Sequence, residues 1–105
     1  MIKMIKENKG ATLNKDLTTA SIVKGYMVSL LGTEEIHDDI SVSLLERYAK
    51  RLKMGFMGIW FNDDNNKYYL DNSVNVEDLD EALKLARKHK QLAIYDLVNN
   101  KVINV

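Results

Sequence analysis

The sequence predicts a single α+β domain with the element order β-α-β-β-α-β-β, its two helices packed on one face of a mostly antiparallel sheet. Three observations carry this. One unit is written twice: an amphipathic helix with a basic last turn, an apolar strand, an Asn-Asn-Lys turn and a second strand. Its copies begin at Ser41 and Val76 and turn at Asn65-Asn66-Lys67 and Asn99-Asn100-Lys101. Within each helix the apolar residues keep helical spacing, Val42, Leu45, Ala49 and Leu52 in the first and Val76, Leu79, Leu83 and Ala86 in the second. Ahead of both lies residues 22–31, a β-branched and aromatic run stopped by Gly32. The first six elements follow the ferredoxin-like split βαβ order, with the last strand extending or curling an edge. A small, partly closed barrel with two helices is the architectural rival.

Each element has a local cause. Residues 1–20 have no clean period and are broken at Asn8-Lys9-Gly10. They read as a partly ordered arm, with a short strand opening at Ile2, Met4 and Ile5 and a short helix near residues 13–20, attached to a domain spanning 21–105. The first long helix has Ser43 and Glu46 at capping-box spacing, with Asp39 or Ser41 as an earlier cap and Gly55 as a left-handed stop. Residues 56–61 form a strand. Asp63-Asp64-Asn65-Asn66 is turn chemistry, and residues 67–70 return. Asn75 is placed to cap the second long helix, whose first turns are acidic. Residues 92–97 and 102–105 close the chain as a hairpin, with a type I′ turn expected at Asn99-Asn100.

Composition bounds the function. A 105-residue chain holds one modest core. Fifteen basic and fifteen acidic residues cancel, which argues against a binder driven by overall charge. No cysteine is present, so disulfides, thiolate catalysis and cysteine metal sites are excluded. No apolar run approaches the roughly 20 residues that span a bilayer, and the N-terminus lacks a secretory pattern. The expectation is a cytoplasmic protein with no membrane role.

Two groups of residues are candidates for contact with a partner. Lys50, Arg51 and Lys53 end one helix; Arg87, Lys88, His89 and Lys90 end the other. Side by side they would present phosphate-binding charge, although basic residues there also complement the helix dipole. Trp60 and Tyr68 supply aromatic surface. The run Gly55-Phe56-Met57-Gly58-Ile59-Trp60-Phe61 echoes the base-stacking strand of RNA-recognition domains, one residue out of step and on the second strand instead of the third. Alternation puts Phe56, Gly58 and Trp60 on one sheet face and Met57, Ile59 and Phe61 on the other. Glu34, Glu35, His37, Asp38, Asp39 and the Asp63-Asp64 pair lack calcium-loop spacing and read as solvated loops. No nucleophile, phosphate-loop or dinucleotide motif occurs, so neither catalysis, a cofactor nor a metal is expected.

The run over residues 81–97, with Gly58-Ile59-Trp60 and Tyr68-Tyr69-Leu70-Asp71, resembles small uncharacterised accessory proteins of phages and conjugative plasmids of low-G+C Gram-positive bacteria, over residues 24–105. Twelve lysines against three arginines suit such an A/T-rich source. The resemblance implies an accessory or regulatory role and no catalytic residue. The function expected is a non-catalytic binding or regulatory protein acting through protein–protein contacts, with a homodimer compatible. The alternative is an RNA- or single-strand-binding regulator using the basic helix ends. An enzyme without a visible motif ranks third.

Overall fold

The computed structural model describes residues 1–22 and 24–105. Among these, the elements in chain order are α1 (Ile2–Asn8), β1 (Gly10–Leu13), β2 (Tyr26–Ser29), β3 (Glu35–His37), α2 (Val42–Ala49), β4 (Phe56–Asn62), β5 (Lys67–Val76), α3 (Leu79–Lys88), β6 (Ala93–Asp96) and β7 (Lys101–Asn104). The strands form one sheet in the order β1-β4-β5-β2-β6-β7, with β3 pairing β5 beside the main path. Every pairing is antiparallel. The protein is thus the α+β domain expected, and its sheet does not close into a barrel. Chain segment β2-α2-β4 straddles β5, and β5-α3-β6 straddles β2, so the two split βαβ units interlock.

Strand register decides which side chains meet the helices. Met57, Ile59 and Phe61 of β4 lie opposite Asn72, Leu70 and Tyr68 of β5. Val74 and Val76 then face Val28 and Tyr26 of β2. This face is covered by all three helices. Ile5, Leu45, Tyr48 and Ala49 pack with Leu13, Met57, Ile59 and Leu70 into one core. Ala82 and Ala86 of α3 pack with Val28 and Ile94 into a second. Alanines at those helix positions let α3 lie close to the sheet, so the little area they bury is matched by tight contact with the strands.

Several local expectations are corrected. In place of a partly ordered arm over residues 1–20, the chain makes α1 and β1, and both Ile5 and Leu13 are fully buried. A seven-residue helix is too short to stand alone and exists because Ile5 is packed. Lys9 takes the left-handed conformation that stops α1 and turns the chain into β1. The strand expected over residues 22–31 is only β2, and Val23 lies outside the described residues. Strand β5 runs six residues past Leu70, where the returning strand is expected to end. Asn75 is therefore a strand residue, and its Nδ2 donates to Lys24 O at 3.1 Å. The α3 cap is Asp78, which accepts from Glu81 N at 2.9 Å. This later start turns Leu79 outward, and Leu83 is half-buried at the edge of the second core. Ser41 caps α2, and Gly55 lies beyond the helix end. Gly55 has φ 68°, and a Cβ there would stand 2.2 Å from Ser73 O, so glycine is required where the chain crosses β5. Asn100 alone has positive φ in the last turn, so it is not type I′.

The packing of α1 is open to test. Ile5→Ala is expected to cost about 2–5 kcal/mol in urea denaturation. Deleting residues 1–13, which removes Ile5, Leu13 and the β1–β4 ladder, is expected to abolish cooperative unfolding. A deletion variant that still melts cooperatively would show that the N-terminal segment is dispensable.

Candidate functional site

Among the described residues, no helix lies on the opposite face of the sheet. It presents Gly10 and Thr12 from β1, Gly58 and Trp60 from β4, Tyr69, Asp71 and Ser73 from β5, Met27 and Ser29 from β2, Tyr95 from β6 and Val102 from β7, as the register dictates. Residues of β1 and β7, the two ends of the strand order, line one concavity of about 570 Å³. The sheet therefore curls toward its uncovered face and makes a trough.

Its floor is polar and its flanks are apolar. Gly58 lies opposite Asp71, and Ser29 opposite Ser73. Ser29 Oγ donates to Asp71 Oδ2 at 2.8 Å. Asp71 Oδ1 is buried and makes no hydrogen bond among the described residues, although the Ser73 hydroxyl and the Gly58 amide lie near the carboxyl. Gly58 makes this placement possible, since a Cβ there would stand 2.5 Å from Oδ1. Burial pushes the Asp71 carboxyl above the usual aspartate range, and the Ser29 and Ser73 hydroxyls and the Gly58 amide offset only part of the effect. One strand position away, Trp60 stacks on Tyr69 with centroids 4.6 Å apart. Across the trough stand Met27, Tyr95 and Val102. Trp60 and Tyr95 are 44% and 38% exposed, large ring areas for one side of so small a domain.

The internal repeat explains this symmetry. Gly58-Ile59-Trp60 and Ala93-Ile94-Tyr95 occupy equivalent places. Ile59 and Ile94 are buried against helices, while the small and aromatic residues line the trough from its two sides. The second hairpin reaches its loop one residue sooner. Asp96 falls on the covered face, where Phe61 sits in the first copy, and there it is buried and accepts from Asn99 Nδ2 at 2.7 Å.

The candidate residues from the sequence separate in space. Trp60 is on the trough. Tyr68 is on the helix-covered face, buried and packed on Phe61 at 4.9 Å between centroids, so it offers no partner surface. The basic helix ends flank one turn. Tyr48 Oη at the end of α2 donates to Thr33 O at 2.6 Å, and Leu31 N–H donates to His89 Nδ1 at 2.9 Å at the end of α3. Arg51, however, is paired with Glu35, which also accepts from Arg47 Nη2 at 2.7 Å and contacts His37 at 2.8 Å. Arg47 first, then His37 and Arg51, hold the Glu35 carboxyl below its usual range. Lys50, Lys53, Arg87, Lys88 and Lys90 are exposed and make no ion pair among the described residues. No three carboxylate or imidazole side chains among the described residues are grouped to hold a metal ion, and no helix there is long and apolar enough to cross a membrane.

Asp71 is the residue that sequence reading missed. An acid opposite a glycine, between aromatic and hydroxyl neighbours, is a signal only once the register of β4 on β5 is known. The chain matches no protein-family model, no curated protein and no solved structure.

The raised carboxyl has a pH signature. A raised folded-state pKa gives stability that is present at low pH and lost as pH rises through that pKa. Asp71→Asn removes the buried charge. Its melting temperature should exceed that of the wild type at pH 8, with a gap that shrinks toward pH 4. A gap independent of pH would mean that the carboxyl is not perturbed by burial.

Proposed function

We propose that this chain is a non-catalytic, cytoplasmic binding protein whose working surface is the concave, helix-free face of its sheet. One observation carries the reading: a buried carboxylate oxygen without a partner, at the floor of a trough walled by aromatic and aliphatic side chains. Leaving such a group unpaired is costly in a protein that uses the face for nothing. The trough is of the size that small ligands occupy. Binding is favoured over chemistry because the wall offers Asp71 no second acid or base close by. Lys9, the basic residue on the rim, is held by Asp63 at 2.9 Å. The accessory or regulatory role belongs to the same proposal.

The test is amide chemical-shift mapping against a library of small amphipathic fragments. Shifts are expected at Met27, Ser29, Gly58, Trp60 and Tyr95. The basic helix ends are the competing surface. Sub-micromolar affinity for mixed RNA at about 50 mM salt, lost in Lys50→Glu/Arg87→Glu, would move the function there and overturn the reading.

A protein contact is the second reading, and the C-terminal hairpin favours it. Leu92, Val98 and Val102 are 87%, 63% and 64% exposed beside the edge strand β7. If the hairpin joins two copies, light scattering should give a dimer that Val98→Lys/Val102→Lys returns to monomer. A wild type that is monomeric at high concentration removes self-association as the use of this edge.

A further inference from the structure

We infer that the trough is a site for a small organic ammonium ion, whose nitrogen pairs with the Asp71 carboxylate while its apolar body fills the space between Trp60 and Tyr95. The inference rests on the concave face being the working surface and adds the chemistry of its occupant. Four observations point the same way. Oδ1 makes no hydrogen bond among the described residues, and an ionised carboxylate accepts only, so in its charged form Asp71 is short of a donor. Ser29 serves Oδ2, and the Ser73 hydroxyl and Gly58 amide lie near the carboxyl without bonding Oδ1, so the group is incompletely answered within the protein. The lysine on the rim is engaged elsewhere, Lys9 Nζ pairing with Asp63 at 2.9 Å. Around the acceptor the walls are aromatic or aliphatic, which suits a carbon skeleton and places rings where a cation gains from their faces.

Alternatives of other chemistry fit less well. A divalent cation needs several oxygen ligands with charge, and among the described residues Asp71 is the one carboxylate on this wall. A phosphate or carboxylate ligand would be repelled by Asp71 and meet no paired basic group at the floor. An uncharged apolar molecule would leave Oδ1 as it is, buried and unpaired. The ammonium supplies the carboxylate with a donor and neutralises its charge in one contact, through a charge-assisted hydrogen bond shielded from water.

Trp60 is the single tryptophan of the chain, so its fluorescence reports the site directly. Wild-type protein is titrated with phenethylammonium, phenethyl alcohol and hydrocinnamate, which share a ring and differ in the charge of the head group. The ammonium is expected to bind about tenfold to a hundredfold more tightly than the alcohol, as a hydrogen bond to a charged group allows, with hydrocinnamate weakest. Asp71→Asn should erase the preference while its thermal unfolding stays cooperative. The wild-type ranking stands on its own if the variant fails to fold. Equal affinity for the three probes, or an undiminished ammonium preference in Asp71→Asn, overturns the ammonium assignment and leaves the concave face as a binding surface. No response to any probe up to about 10 mM, weaker than a millimolar contact, with no amide shifts on this face, overturns both.

Discussion

Strand β5 pairs with β4 along one edge and with β3 and then β2 along the other, so the backbone ladder of ten residues joins every part of the sheet. A central strand has no freedom to turn its side chains away, and period-two alternation sends each residue to one face or the other. In β5 this constraint meets the polar run Asp71-Asn72-Ser73. Asn72 points to the helix side, is buried, and answers burial by donating to Met54 O at 2.8 Å and Phe56 O at 3.2 Å. It thereby fixes the crossing from α2 into β4. Asp71, one residue earlier, points the other way and is answered on one oxygen only. Neighbouring polar residues on one strand have opposite uses, structural on the covered face and open on the concave one.

The division of labour between the faces follows from this. Apolar residues concentrate on the helix side, where two packed clusters hold the fold. The concave side contributes little to those clusters. It can therefore carry glycine, serine and a carboxyl where a core would need bulk. Gly58 and Ala93, at matching points of the repeat, keep the trough open between Trp60 and Tyr95.

Much of the architecture was legible in the sequence because it rests on periodicity. Leu45, Ala49 and Leu52 are buried as their spacing requires, and Ile59 and Ile94 mark the inward face of both repeat copies. What was hidden depends on contacts between distant segments. Helix α1 has seven residues and no side-chain cap, so only the burial of Ile5 reveals it. The second half of β5 looks like a loop because its polar residues are satisfied, or left unsatisfied, by tertiary neighbours. Leu79 fits a stripe on paper and falls outside it because Asp78 starts the helix later. The site was half visible. The aromatic strand drew attention to Trp60, yet Tyr68 and Asp71 could not be assigned to faces without the register of β4 on β5.

The two cores also differ in when the growing chain can complete them. Every residue of the first, and every half-buried residue packed on it, lies between Ile2 and Leu70. The second draws on Ile94 and Ile103, near the end of the chain. During synthesis the first core has all its material well before the last hairpin emerges, whereas the second must wait. The trough spans both, with β1 on one rim and β7 on the other. Its two walls meet across Asp71 only when the C-terminal strand has docked, so a chain stalled short of that point would hold a folded half without a complete trough.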